Sequence, residues 1–351
     1  MTGPLPNGAK RSFRAGGASQ LTQVAGLPIG DPDLAAAVSD GLDRVEDLLR
    51  REVHSDYRFV TDTSLHLIEA GGKRFRPLLT LLAAQLAGGT SEDVVVAATS
   101  VELVHLATLY HDDVMDEATM RRGAQSANAR WDNTVAILTG DYLFAHASRL
   151  VSQLGPEAVR IIAETFAELV TGQMRETRGP REGEDAVEHY LAVVAEKTGS
   201  LIATSGRFGA MFAGAPPEHV TAMSRFGEII GTAFQVSDDI IDIASPSGDS
   251  GKTPGTDLRE GVATLPVLYT LAGDGPEVAR LRSLGVGTRE LGDGEVDEAL
   301  ELLRGSAGLQ EARTALDARA DAARAELAAL PEGPARQALA ALLDYTVART
   351  G

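Results

Sequence analysis

The run Tyr110-His111-Asp112-Asp113-Val114-Met115-Asp116, followed shortly by Arg121-Arg122-Gly123, decides how the chain is read. Three carboxylates stand at i, i+1 and i+4 in an apolar, helix-forming background. Residues four apart on a helix share a face, so Asp112 and Asp116 point the same way, with Asp113 beside them. Like charges that close repel and give a helix nothing by themselves. A cation in the gap removes the repulsion, and hard carboxylate oxygens suit Mg²⁺. The spacing recurs as Asp238-Asp239-Ile240-Ile241-Asp242. One such cluster is equally well explained as a solvated acidic face. Two, each preceded by apolar helix, point to a facing pair around a polyanionic substrate.

Composition narrows the field. The chain has 351 residues, 44% of them hydrophobic, which is ample for a core. It has no cysteine, which excludes disulfides and thiolate metal sites and fits a reducing cytoplasm. The net charge of −18 argues against nucleic-acid binding, which needs basic surface. An anionic substrate must then be drawn in locally, by clustered Arg, Lys and metal ions, against the overall field. Apolar runs such as residues 78–87 are too short to span a bilayer, and the first residues lack a signal-peptide core. The expectation is a soluble, cytoplasmic protein.

Residues 1–30 are rich in Gly, Pro and Ser without sustained periodicity, and are expected to form a disordered arm before one domain over 31–351. Helical spacing predicts helices over about 31–53, 57–69, 78–86, 94–115, 135–154, 157–176, 186–211, 218–243, 267–272, 296–303, 307–329 and 336–349. Period-2 runs are absent, so the expected class is all-α. Between the second and third helices, Gly71-Gly72-Lys73-Arg74-Phe75-Arg76-Pro77 sets two glycines, three cations and a proline at a helix start, a good anion site. The bland alternative is a basic loop with a helix cap. His105 lies two turns before Asp112 and can face the same cavity. Along that face Thr108 and Ala107 are small, which suits a greasy slot and also suits plain helix packing. Lys197-Thr198 sits in an apolar setting, where a lysine either snorkels to the surface or binds phosphate oxygens.

These features together resemble the trans-isoprenyl diphosphate synthase family. Gly71–Pro77, both DDxxD clusters, Arg121-Arg122, Lys197-Thr198, Phe234-Gln235 and the loop from Gly255 to Pro266 occur in the family's order, and the likeness covers about residues 31–350. Either DDxxD alone would be weak, since terpene cyclases also use one. The resemblance implies a single-domain helical bundle around a central cavity, a homodimer, and head-to-tail condensation of isopentenyl diphosphate onto an allylic diphosphate in E geometry. It implies a catalytic set of Asp112, Asp113, Asp116, Asp238, Asp239 and Asp242. Of these, Asp112, Asp116 and Asp238 hold about three Mg²⁺ that neutralise the leaving diphosphate. It places Arg121, Lys197, Thr198, Gln235 and Lys252 on the allylic diphosphate, and Lys73, Arg76, His105 and Arg122 on isopentenyl diphosphate. The last proton goes to the leaving diphosphate rather than to a protein base.

One departure stands out. Many family members carry Lys after the Glu-Gly pair of the second loop, where this chain has Val262 after Glu260-Gly261. Lys252 and Arg259 are expected to suffice. Short-chain members tend to carry aromatics at the positions of Ala107 and Thr108. With both small, the floor should lie deeper, near Val104, Val101 and Phe166. The slot then holds a product of about C30 to C50, since each added unit must be kept from water. Such products serve as side chains of respiratory quinones such as menaquinone, handed off at a membrane. A geranylgeranyl-type synthase, a terpene cyclase, a non-catalytic subunit and an acidic scaffold are the competing readings.

Overall fold

The computed structural model describes residues 22–245 and 254–348. Regular structure is present within the stretch that composition assigned to an arm. Strands β1 (Thr22–Val24) and β2 (Leu27–Ile29) form an antiparallel hairpin across Ala25-Gly26, both with positive φ. Such a pair matches the twist of two-residue hairpins. Val24, Leu27 and Ile29 are buried in the core, so the expectation of a disordered arm through residue 30 is corrected for residues 22–30. The strands are too short to show a period in the sequence, and pairing rather than propensity holds them.

The helices α1 (Pro32–Glu52), α2 (Arg58–Glu69), α3 (Phe75–Ala84) and α4 (Glu92–Met115) follow. Each of α1 and α4 starts on a side-chain cap: Asp31 accepts from the Leu34 amide and Ser91 from the Val94 amide. A tight hairpin, β3 (Met120–Arg121) with β4 (Ala124–Gln125), leads through α5 (Ala127–Arg130) to α6 (Asn133–Val151) and α7 (Pro156–Arg178). The helix expected over 186–211 is α8 (Ala186–Val194) and α9 (Ser200–Phe212) joined by a wider π-turn at Ala195–Gly199. Then come α10 (Pro217–Ala244), the short α11 (Thr256–Arg259), α12 (Leu265–Ala272), α13 (Pro276–Leu284), α14 (Asp293–Arg304), α15 (Ala307–Ala328) and α16 (Pro334–Val347). Helix α13 lies in an acidic, Gly-rich stretch given no helix above. Pro276 begins it, and Val278, Leu281 and Leu284 bury its inner face. Among the described residues the only strands are those of the two hairpins, and the fold is all-α.

Two long helices form the axis. Helix α4 packs against α3, α6 and α9, and α10 packs against α9, α15 and α16. Glycines let these helices close up: a Cβ at Gly209 would meet the Thr80 carbonyl at 2.1 Å, and one at Gly227 the Ile202 carbonyl at 2.5 Å. Among the described residues, α4 alone is long and apolar enough to cross a membrane, but 72% of its most apolar window is buried inside the protein. Both acidic clusters therefore sit at the C-terminal ends of central helices. Packing fixes the rotation of those helices, and hence which carboxylates face the cavity.

Candidate active site

Of the first cluster, Asp112 and Asp113 part company. Asp113 is fully buried and accepts from Arg121 Nε at 2.6 Å, so it anchors the β3–β4 hairpin to α4. Asp112 lines a cavity of about 690 Å³. Burial pushes its carboxyl up to about 6; Lys197 and Arg121 pull it down, and Asp116 and Glu176 push it further up. Asp116 is the exposed C-cap of α4, its amide donating to the Asp112 carbonyl at 2.8 Å.

The second cluster divides in the same way. Asp239 is 2% exposed and accepts from the Tyr190 hydroxyl, from Gln235 Nε2 at 3.0 Å and from the Leu265 amide. Burial raises it to about 6 against those hydrogen bonds. Asp242 accepts from the Thr256 and Asp257 amides, each at 3.1 Å, and so caps α11. Asp238 is half-buried on α10, just before these two anchors. Glu260, just past α11, is raised by burial and by Asp116 and Asp242 together, with Arg121 opposing. A carboxylate from each cluster thus acts on the same third group, which places α4, α10 and the loop after α11 around one acidic space.

Lys197 and Thr198 lie in the π-turn, half-buried. Such turns re-aim side chains within a helix and recur at functional positions. Here the turn sets the Lys197 ammonium on Glu176 of α7 and close enough to Asp112 to act on its acidity. Gly172 makes room, since a Cβ there would lie 2.6 Å from the Lys197 amide nitrogen. Lys252 lies outside the described residues. Gln235, expected on a diphosphate, holds Asp239. Arg121 holds Asp113 while bordering Asp112 and Glu260. Val262, where a lysine was expected, is 42% exposed.

The basic side is built from the Gly71–Pro77 loop, α4 and the β3–β4 turn. Lys73 donates to the Tyr345 hydroxyl at 3.0 Å and stands over its ring. Arg76 is half-buried. Burial lowers its guanidinium to about 10, Glu102 opposing and Arg122 adding to the drop. Arg122 donates to the carbonyls of Leu67, at 3.1 Å, and Gly71, and its Nη2 lies 3.5 Å from His105 Nε2. His105 is held well below the ordinary histidine range by burial and by Arg76, Arg122, Arg74 and Arg121. It is a neutral imidazole in a nest of guanidiniums. Arg74 and Arg122 both have positive φ, as does Glu117. Non-glycine residues rarely take that conformation, and it concentrates at functional loops. Arg76, His105 and Arg122 thus lie together, whereas Lys73, from the same loop as Arg76, is turned to Tyr345. Sequence reasoning assigned nothing to Glu46, Glu102, Tyr190, Tyr345 or Glu260, and took Arg74 only as one of the three cations of its loop. A glutamate between Val101 and Leu103 on an apolar face was the one available signal for Glu102.

The slot takes a different path from the expected one. Thr108, His111, Asp112 and Met115 of α4 line it, facing Ile137 and Asp141 of α6 and Phe166, Leu169, Val170, Gln173 and Met174 of α7. Ala107, Val104 and Val101 are at most 1% exposed, packed in the core, and do not line it. Each successive residue turns about 100° round a helix. The face through Thr108 and Asp112 therefore leaves Ala107 pointing inward, with Leu103 and Tyr110. Phe166 lines the slot as well, its ring 4.1 Å from that of Phe144.

Two acidic helix ends opposite an arginine-rich basket, with an apolar slot beyond, define a protein that handles diphosphates bearing greasy tails. The Polyprenyl synthetase family model matches residues 58–303, and the chain belongs to that family. It is 60% identical over 333 residues to a nonaprenyl diphosphate synthase from Mycobacterium tuberculosis, covering 94% of this chain and 98% of that protein. Its fold matches a geranylgeranyl pyrophosphate synthase from Corynebacterium glutamicum complexed with calcium and isoprenyl diphosphate (TM-score 0.84, 53% identity, 93% of this chain and 100% of that one). It also matches a decaprenyl diphosphate synthase from Rhodobacter capsulatus (TM-score 0.84, 35% identity, 91% and 99%).

Proposed function

We propose that this chain condenses isopentenyl diphosphate head-to-tail onto an allylic diphosphate, repeatedly, to a polyprenyl diphosphate of medium or long chain, about C30 to C50 in line with the slot left open beyond Thr108. The observation that carries this reading is the joining of three parts: the acidic space at Asp112, Asp116 and Asp238, the basic nest at Lys73, Arg76, His105 and Arg122, and the apolar slot leading from Asp112 to Phe166. The nonaprenyl and decaprenyl synthases among the similar proteins support the chain length.

The residues fit a divalent cation. Burial first, and then Asp116 and Glu176, raise Asp112; burial first, and then Asp116 and Asp242, raise Glu260; hard cations relieve that part of the shift which the neighbouring carboxylates cause. Among the described residues no three carboxylates converge closely enough to hold an ion alone. This suits ions that also take substrate diphosphate oxygens as ligands. Asp112, Asp116 and Asp238 would hold Mg²⁺, which supplies Lewis-acid neutralisation of the departing diphosphate. Lys197 and Thr198 bind the same diphosphate, joined by Lys252. Arg121 shapes that side through Asp113. The apolar slot keeps water from the allylic cation. The basic nest holds isopentenyl diphosphate so that its double bond meets that cation. The allylic C–O bond breaks, a C–C bond forms, and the proton lost from the new unit passes to the released diphosphate.

A homodimer, as the family resemblance implies, belongs to this reading, and Leu138 on α6, exposed and outside the slot, is available to a second copy. A product of this kind suits a cytoplasmic enzyme that passes quinone side chains, such as that of menaquinone, to a membrane. The test is incubation of purified protein with Mg²⁺, labelled isopentenyl diphosphate and farnesyl or geranylgeranyl diphosphate, with product sizing. Medium- or long-chain product is expected. Products stopping at C20 would assign a geranylgeranyl-type synthase, and no incorporation would remove the reading.

A further inference from the structure

We infer that Glu102 positions the arginines of the basic nest, setting affinity for isopentenyl diphosphate without touching it; this rests on the function proposed above. Glu102 lies in the middle of α4, 1% exposed, on the face turned to the Gly71–Pro77 loop. Arg74 Nη1 donates to its Oε1 at 3.2 Å, and Arg122 Nη2 stands 3.9 Å from the same oxygen. Arg76 is near enough that the charge of Glu102 holds its proton on, against burial and against Arg122. One buried carboxylate is thus shared by three guanidiniums from two separate loops.

Desolvated like charges do not stay close without a counter-charge. Glu46 supplies one, but it reaches Arg74 alone of the three. Arg74 is itself tied to the carbonyls of Ile68, at 3.0 Å, and Gly71, at 3.3 Å, and Arg122 to Leu67 and Gly71. Glu102 therefore fastens the α2–α3 loop to α4 and faces the β3–β4 turn there with a second counter-charge, besides the Asp113–Arg121 pair. The backbone shares the load: Arg74 and Arg122 both sit at positive φ, conformations that persist only when surrounding contacts over-determine them. With Glu102 in place, Arg76 and Arg122 are held side by side before any diphosphate arrives. Binding then does not have to draw the two cations together. The charges that act on Asp112 are Lys197, Asp116, Arg121 and Glu176 rather than Glu102, so the effect is expected on one substrate only.

The test is Glu102→Gln, which keeps shape and removes charge, with both Michaelis constants measured on protein shown to be folded by its melting transition. The KM for isopentenyl diphosphate should rise about tenfold, the scale of one charge-assisted hydrogen bond. The KM for the allylic substrate should stay within about twofold, with kcat little changed. Equal rises in both constants, or lower kcat and melting temperature with both constants unchanged, would mean a merely structural role and overturn the inference. A fall in KM for isopentenyl diphosphate would overturn it too, since it would show Glu102 competing with the diphosphate for the arginines. If the glutamine variant does not fold, Glu102→Asp is read by the same split, with a smaller rise expected and an unchanged constant counting against the idea. Failure of the wild-type protein to incorporate isopentenyl diphosphate would remove the proposed function itself. Wild-type incorporation with no shift in the variant removes only the role of Glu102.

Discussion

Arg121 Nε stands 2.6 Å from Asp113 Oδ1, so an arginine engages the second aspartate of the first acidic cluster. The Asp113 side chain is fully buried and that of Arg121 is 30% exposed. Removing the arginine strands a buried carboxylate. Arg121→Ala should cost about 3 kcal/mol of stability, read by denaturant unfolding. Asp113→Asn should cost less, because it leaves no unpaired buried charge.

His105 gives the fold a dependence on pH of predictable sign. Burial and four arginines keep its imidazole neutral in the folded protein, while the unfolded chain takes up a proton near pH 6.5. A depressed histidine favours the folded state fully above that value, and the advantage is lost as pH falls below it. The melting temperature should drop between pH 7.5 and 5.5 more steeply in wild type than in His105→Gln. Equal slopes would count against a neutral His105.

Chain length separates two kinds of position on α4. Thr108 lines the slot, so Thr108→Tyr should shorten the product. Phe166→Ala, which widens the slot across from Thr108, should lengthen it, read by chromatography of dephosphorylated products. Ala107 is 1% exposed in the core. Ala107→Phe should act as overpacking, with a loss of about 1–3 kcal/mol.

Val262 is 42% exposed, so its side chain can change without disturbing the core. Val262→Lys adds a cation two residues from Glu260, in the loop that reaches Asp116 and Asp242 by charge. The allylic KM should fall about threefold to tenfold, with the isopentenyl constant unchanged. No change would mean that the other cations of the allylic side already suffice.

Helical period and the paired carboxylates made the class and the two poles of the site legible. Spacing gives the angle round a helix, however, and not the helix's rotation. Asp112 and Asp113 are adjacent in sequence, and packing of α4 on α3, α6 and α9 decides that one faces the cavity and the other a buried arginine. The same rotation moved Ala107 from the slot's wall to the core. The Thr22–Ile29 hairpin and α13 were hidden for a different reason. They are short and rich in turn residues, and long-range burial of Val24, Leu27, Ile29 and Leu281 stabilises them. Glu102 and Tyr345 became visible only when distant segments met.

That last meeting bears on how the protein is made. Lys73 is fastened to Tyr345 on α16, the last helix described, and the β1–β2 hairpin packs on that same helix. On the ribosome the basic loop emerges long before its partner. A nascent chain without α16 still lacks the anchor for Lys73. The set position of that lysine thus waits on the making of α16, and truncation before α16 should leave it unanchored even where the helical body survives.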